Sequence, residues 1–343
     1  RVMDRFDDLR DLYFNSLKKG LPLDTIRYTD SNSASSIVSS MDFSRDNRYF
    51  AVGGVTKEIK VFDSNLIHPT FNMDDDEETV IHCPIQTMSS KHKISCVCWN
   101  PYVQSQLASS DYGGNVSIWD ASTGLCVRTF QEHKQRAWSV DISRTNPDIM
   151  ASASDDATVK IWSMNQSRSI YTFTEKSNVC SVHFGPHDHH QLMVGSADSN
   201  IRWYDTRWTR DALLTLKGHN KTVSYIKWLN NTELVSLSID GSLKLWDLSN
   251  KECKRTYTGH TNRRNFVGLS VEGDWFSCGS EDNAVYTYHK YSAKPSLIYK
   301  FPSDDDSLGE SSTAFGSSVC WKRNSNILLA ANSKGMIQAL SLE

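Results

Sequence analysis

The chain has 343 residues, with 37 basic against 40 acidic side chains, a net charge of −3, and 38% hydrophobic and 22% charged residues. That balance suits a globular protein and excludes the strongly basic surface of a general nucleic-acid binder. No run of apolar residues is long enough for a membrane-spanning helix. The chain opens on Arg1 with no apolar leader, so a piece of a longer protein is expected. Its eight cysteines form no CxxC pair. They read as reduced, mostly buried thiols of a nuclear or cytoplasmic protein, without zinc and without a disulfide framework.

In chain order, Met3, Phe6, Leu9, Tyr13 and Leu17 come first, at helical spacing, before Lys18, Lys19 and Gly20. A short amphipathic linker helix is therefore expected over 1–20. ThrIleArgTyr at 25–28 reads as a lone strand. A repeating unit follows: a strand of small residues, a turn, then alternating apolar residues closing on an aromatic. It reads IleLysValPheAsp at 59–63, ValSerIleTrpAsp at 116–120 and ValLysIleTrpSer at 159–163. It continues as IleArgTrpTyrAsp at 201–205, LeuLysLeuTrpAsp at 243–247, ValTyrThrTyrHis at 285–289 and a weak IleGlnAlaLeuSer at 337–341. The closing positions Phe62, Trp119, Trp162, Tyr204, Trp246, Tyr288 and Leu340 are spaced 57, 43, 42, 42, 42 and 52. A second series runs in step: Phe43, Trp99, Ile142, Phe184, Trp228, Leu269 and Trp321.

Seven copies near a ~40–45-residue period, each with room for four strands, are the pattern of WD40 repeats. The expected fold class is all-β, a seven-bladed WD40 β-propeller over 21–343 preceded by the short N-terminal helix. Propellers close by pairing a strand from one terminus with the blade at the other, which hides two edges. The strand at 25–28 is expected to be the outer strand of the last blade, built otherwise from 317–343. Two insertions break the period, 64–90 with AspAspAspGluGlu at 74–78 and 291–316 with AspAspAsp at 304–306. Both are expected to be solvated loops.

His, Ser and Asp recur beside the closing tryptophans: His133, Ser154 and Asp156 with Trp162, and His219, Ser238 and Asp240 with Trp246. A catalytic set is needed once, so recurrence argues for a buried structural hydrogen-bond chain and not a triad. The second repeat departs, with Gly113 in the Asp slot and Asp111 two residues earlier. Its turn is expected to be irregular, with Tyr112 displaced outward. ProHisAspHisHis at 186–190 falls where a tight turn belongs and reads as solvated, not metal-binding. No nucleophile–base pair or metal-ligand spacing remains, so this chain is expected to have no enzyme activity and no cofactor.

The loops entering each inner strand should build the binding face. They carry Lys93, Arg136 and Trp138, Lys221, and then Arg263, Arg264 and Phe266, with Tyr112 from the second repeat's turn. Trp138 lies off the framework positions that Trp99, Trp119, Trp162, Trp228, Trp246 and Trp321 fill. Trp, Tyr and Arg dominate binding hot spots. Cations around aromatics favour an extended peptide with acidic residues flanking an apolar anchor. Asp205 and Arg207 form a second candidate surface, for docking an adaptor on the opposite face.

LysHisLysIleSerCysValCysTrpAsn (91–100), GluHisLysGlnArgAlaTrpSerValAsp (132–141), GlyHisThrAsnArgArgAsnPheValGlyLeu (259–269) and CysGlySerGluAspAsnAlaValTyr (278–286) resemble the propeller of the constitutive photomorphogenic ubiquitin ligases. The resemblance runs over nearly all of 37–343. ArgPheAspAspLeuArgAspLeuTyrPhe (5–14) also resembles the segment after that family's coiled coil. The companion suppressor-of-phytochrome-A proteins share much of this propeller. The short connection before Gly259 and His260 favours the ligase.

The resemblance implies a substrate-recognition module of a RING-type ubiquitin ligase in light signalling. It would bind Val-Pro motifs preceded by acidic residues in transcription factors, photoreceptors and pseudokinase adaptors. The family's contact residues fall on Lys93, Tyr112, Arg136, Trp138, Lys221 and Phe266. Arg263 stands where the family has Glu, and Ser199 where it often has His, so a more basic pocket is expected. AspThrArg at 205–207 resembles a docking motif for the DDB-type adaptor of cullin-4 ligases, with Tyr204 in place of the usual Trp. The RING and coiled coil lie outside these 343 residues. No nucleic-acid or membrane partner is implied.

Overall fold

Small residues such as AlaValGlyGly at 51–54 and AlaSerAlaSer at 151–154 form second strands that a neighbouring blade can approach closely. The third strands alternate, burying Ile59 and Val61 or Val159 and Ile161 while Lys60 and Lys160 stay partly exposed. The structure, a computed structural model, describes residues 20–28, 36–67, 82–208, 211–302 and 314–342. These residues form seven separate four-stranded antiparallel sheets, the blades of a β-propeller. Blades 1 to 6 take their strands consecutively, from Val38–Phe43 in blade 1 to Leu297–Lys300 in blade 6. Blade 7 combines Gly316–Trp321, Ile327–Asn332 and Met336–Leu342 with Gly20–Arg27.

The closing strand Gly20–Arg27 is longer than 25–28 and pairs from Gly20↔Leu342 to Arg27↔Met336. Ile26 and Tyr28 are fully buried beside Phe43, Phe50, Leu329 and Ile337. The Tyr28 hydroxyl donates to the Glu58 carbonyl at 2.5 Å and accepts from Thr56 at 2.7 Å, bolting blade 7 to blade 1. Burial pushes this phenol up to about 12.

No central core occurs among the described residues. The buried apolar residues fall into seven clusters, one at each blade-to-blade seam. Channel-wall side chains add polar links across seams. Asp42 accepts from the Trp99 N–H at 2.6 Å and Asp141 from Phe184 at 2.8 Å. Ser181 accepts from Ile226 at 3.1 Å and Ser270 from Trp321 at 3.0 Å.

Several expectations change. The helix expected over 1–20 lies outside the described residues except at Gly20, which opens a strand; no α-helix occurs among the described residues. The insertions are not wholly loop, because Gln86–Ser89 and Leu297–Lys300 are outer strands. Their acidic stretches at 74–78 and 304–306 lie outside the described residues. Val271, not Leu269, fills the framework slot of blade 6, since it pairs with Phe276 as Trp228 pairs with Leu234. Three of the eight cysteines, Cys83, Cys126 and Cys253, are exposed.

The recurrent polar set also shifts by two residues. Ser152 Oγ lies 2.7 Å from His133 Nε2 and accepts from Trp162 Nε1 at 2.8 Å, while His133 Nδ1 lies 3.0 Å from Asp156. Blade 5 repeats this with Ser236, His219, Trp246 and Asp240. Ser154 and Ser238 instead accept from the N–H groups of Asp156 and Asp240 in the turns. Burial would raise the Asp156 carboxyl, but hydrogen bonds from His133, Thr158 and the Lys134 N–H outweigh it and hold the group well below the usual range.

Candidate functional site

Six inner strands carry a one-residue bulge near their start. A bulge inserts a residue outside the ladder and re-aims its side chain. The inserted residue is Ser39, Ser95, Cys180, Ser224 or Ser317 in five blades. In blade 3 it is Trp138. One large ring in a slot otherwise held by small residues is therefore aimed at the channel mouth.

Three further aromatics meet it from other blades. Tyr112, from the turn of blade 2, packs edge-on to Trp138 at 5.3 Å between centroids. Phe266 of blade 6 approaches from across the channel at 4.8 Å, and Tyr225 of blade 5 backs Phe266 at 6.1 Å. Phe266 reaches this far because ten residues separate Gly259 from Leu269, where eight separate Gly218 from its blade 5 counterpart Ile226. The four rings are half-buried. Tyr112 is not displaced outward. Asp111 Oδ1 accepts from Gly113 and Asn115 at 2.8 and 3.0 Å, which keeps the turn at its usual length and turns the ring inward.

Arg136 lies 5.5 Å above both Tyr112 and Trp138, and its Nε is 3.4 Å from Asp155 Oδ2. Asp155 also accepts from Trp138 Nε1 at 2.7 Å and from Asn178 at 3.0 Å. Cation–π contact and a carboxylate anchor thus fix the ring and leave half of the Arg136 side chain open (51% exposed). Lys93, Lys221, Arg263 and Arg264 are exposed around this mouth, and no described carboxylate lies within ion-pair distance of them. Glu281 accepts from the backbone N–H groups of Arg264 and Asn265, at 2.7 and 2.8 Å, and forms no ion pair with these side chains. Burial would raise its carboxyl, but the N–H groups of Asn265, Arg264 and Arg263 hold it below the usual range.

The seven residues expected on this face therefore divide. Tyr112, Arg136, Trp138 and Phe266 form one contiguous cluster, and Lys93, Lys221 and Arg263 stand around it as separate cations. Asp155 and Tyr225 belong to the site and were missed. Asp155 follows a second strand directly, as Tyr112 and Glu281 do. Tyr225 is the one large side chain in the channel-wall slot held elsewhere by Ser40, Cys96, Ser139, Ser181, Gly268 and Ser318.

At the far end of blade 4, Arg207 makes a paired contact with Asp205 and accompanies Trp208, which is 60% exposed. Asp205 starts this turn by accepting the Arg207 N–H at 2.9 Å. Asp188, His189 and His190 lie nearby with ligand atoms within 4.8 Å of one another. His189 Nδ1 and His190 Nδ1 already engage Thr145 and Thr206. Tyr204 donates to buried Glu175 at 2.5 Å, which Arg202 neutralises at 3.0 Å.

A family model described as WD domain, G-beta repeat matches residues 25–63, 82–120, 124–163, 167–205, 210–247 and 251–289. The chain is 44% identical to Protein SUPPRESSOR OF PHYA-105 1 of Arabidopsis thaliana over 93% of its length and 31% of that protein. It is 43% identical to E3 ubiquitin-protein ligase COP1 of Arabidopsis thaliana over 92% of its length and 46% of that protein. It is 34% identical to WD repeat-containing protein RUP2 of Arabidopsis thaliana over 89% of its length and 88% of that protein. The chain thus spans less than half the length of the first two.

Proposed function

The chain belongs to the WD-domain, G-beta repeat family, and from that membership and its aromatic mouth we propose a substrate-recognition module for short acidic Val-Pro peptides. One observation carries the reading: Trp138 fills a slot that is small in the other bulged blades and contacts Tyr112 and Phe266. Valine and proline suit such a slot. Both are apolar, proline lacks an N–H that would be stranded on the rings, and the dipeptide is already extended. Acidic residues preceding it would meet Lys93, Lys221, Arg263 and Arg264.

In this reading the partners are transcription factors, photoreceptors or pseudokinase adaptors in light signalling, met in the nucleus and cytoplasm. The propeller itself catalyses nothing. The whole protein is then a RING-type ubiquitin ligase, a reading supported by the identity to the E3 ubiquitin-protein ligase COP1 relative, and Asp205 and Arg207 dock a cullin-4 adaptor. A second reading, a non-catalytic scaffold in a ligase complex, is favoured by the equally high identity to the SUPPRESSOR OF PHYA-105 1 relative.

Calorimetric titration with a short acidic Val-Pro peptide tests the first reading. Binding should be lost when Val-Pro becomes Ala-Ala and fall at least about 30-fold in Trp138→Ala, as for a hot spot of about 2 kcal/mol or more. Absence of binding by folded protein would overturn it. Partner binding that survives Trp138→Ala would favour the scaffold.

A further inference from the structure

The channel has a second mouth, built from the turns that leave the inner strands. On the strand Ala137–Ile142, Trp138 stands at one end and Arg144 lies two residues beyond the other. Six residue steps separate them, about 20 Å for extended chain. The slot of Arg144 holds Arg45, Pro101, Arg144, Pro186, Asn230, Gly273 and Arg323 in blades 1 to 7. Arginine thus occurs in blades 7, 1 and 3, along one arc of the ring.

These three arginines line a single cavity of about 240 Å³ with Pro101 and Tyr102. Arg45 donates to the Pro101 carbonyl at 3.2 Å and lies 6.0 Å from the Tyr102 ring. The Tyr102 hydroxyl donates to the Arg144 carbonyl. These contacts tie the blade 2 turn to both neighbouring arginines. No described carboxylate lies within ion-pair distance of Arg45, Arg144 or Arg323, unlike Arg136, Arg202 and Arg207, which each have at least one. The nearest turn acids are engaged elsewhere. Asp46 accepts from Ser44, the Arg48 N–H and Gln104, and Glu272 accepts from the Asn324 N–H at 2.8 Å.

Three guanidiniums line one concavity without an ion-pair partner, and Asp42, the buried channel-wall carboxyl that feels Arg323 and Arg144, is already held by the Trp99 N–H. Arginine is the side chain whose planar fork matches phosphate. The cavity lies below the ~300–1,000 Å³ of drug-sized pockets, which suits a compact anion better than an extended chain. We propose that this far mouth binds a small phosphate-bearing anion through Arg45, Arg144 and Arg323. The phosphate belongs to a soluble polyphosphorylated metabolite or to a phosphorylated lipid headgroup. The proposal is independent of the peptide reading, because none of its residues belongs to the Trp138 cluster.

The test is calorimetric titration of the protein with inorganic pyrophosphate. In parallel, the protein is co-sedimented with phosphatidylcholine vesicles with and without phosphatidylinositol phosphate. Pyrophosphate should bind, each single change R45Q, R144Q or R323Q should weaken it about tenfold, and the triple change should abolish it. The R136Q variant at the opposite mouth should bind pyrophosphate within about twofold of the original protein. Thermal unfolding checks that each variant is folded. Vesicle binding in addition to pyrophosphate binding assigns the headgroup, and pyrophosphate binding alone assigns a soluble anion. No pyrophosphate binding by folded protein, or undiminished binding by the triple variant, overturns the site. So does vesicle binding without pyrophosphate binding.

Discussion

Ser152→Ala gives a direct measure of what a blade's buried polar chain contributes. Ser152 is fully buried, and its hydroxyl serves two groups at once: the Trp162 N–H at 2.8 Å and His133 Nε2 at 2.7 Å. Alanine removes only an oxygen, so the cavity is negligible and the cost lies in the stranded groups. Each buried group left without a partner costs about 1–3 kcal/mol. Two of them predict a loss of about 2–6 kcal/mol. The molecule supplies its own controls. Ser236→Ala in blade 5 strands the same pair of groups and should cost the same. Ser109→Ala in blade 2 strands only the Trp119 N–H at 2.8 Å, so about half that loss is expected. Ser154→Ala removes two part-buried turn bonds, from the Asp156 N–H at 3.1 Å and to the Gln135 carbonyl at 3.2 Å, and should cost about 1–2 kcal/mol. Urea unfolding followed by tryptophan fluorescence and far-ultraviolet circular dichroism gives the four values. A Ser154→Ala loss equal to or above that of Ser152→Ala would refute the assignment, as would a Ser109→Ala loss equal to that of Ser152→Ala.

Acid should destabilise the fold in two stages. Burial pushes His183 and His260 down to about 4, so the unfolded chain binds their protons first and stability should fall as pH drops from about 6.5 to 4. His260→Gln should flatten that part of a plot of urea midpoint against pH. The carboxyls of Asp156 and Asp240 are held low, so their contribution persists above the ordinary carboxylate range and is lost as pH falls below it. Lys93→Glu and Lys221→Glu should slow peptide association in stopped-flow and reduce its salt dependence, with little change in dissociation, because exposed charges act mainly by steering. A change confined to the dissociation rate would contradict that role.

The repeat was legible because each blade buries the same positions against its neighbour, and a spacing near 42 residues survives changes in individual side chains. The aromatic mouth was only partly legible. Trp138 stood out as off-pattern, but a bulge is a property of strand pairing and leaves no mark in a single strand. For the same reason the chain His133–Ser152 could not be told from His133–Ser154, because both serines lie on one strand two residues apart. Tyr225 looked like an ordinary strand aromatic until seven channel-wall residues could be compared. Asp155 was hidden by its neighbour Asp156, whose role in the turn was the obvious one. Blade 6 misled the register by two residues because its entry loop is longer.

The strand that completes blade 7 also sets a schedule for the newborn chain. Asp24 and Gln338 hydrogen-bond across a sequence separation of 314 residues. At about 5–20 residues per second, a ribosome needs roughly 15–60 s to deliver the partner after Gly20–Arg27 has emerged. Six blades can form from contiguous sequence in that interval, but the seventh waits for both ends. Until then Gly20–Arg27 lacks its partner, and Met336–Leu342 has a bare edge once made. Over that interval the chain exposes β-edges that holdase chaperones bind and that promote self-association. A second molecule's leading strand presents the same residues to that edge, so strand exchange between two incomplete rings competes with closure when many ribosomes translate the message at once.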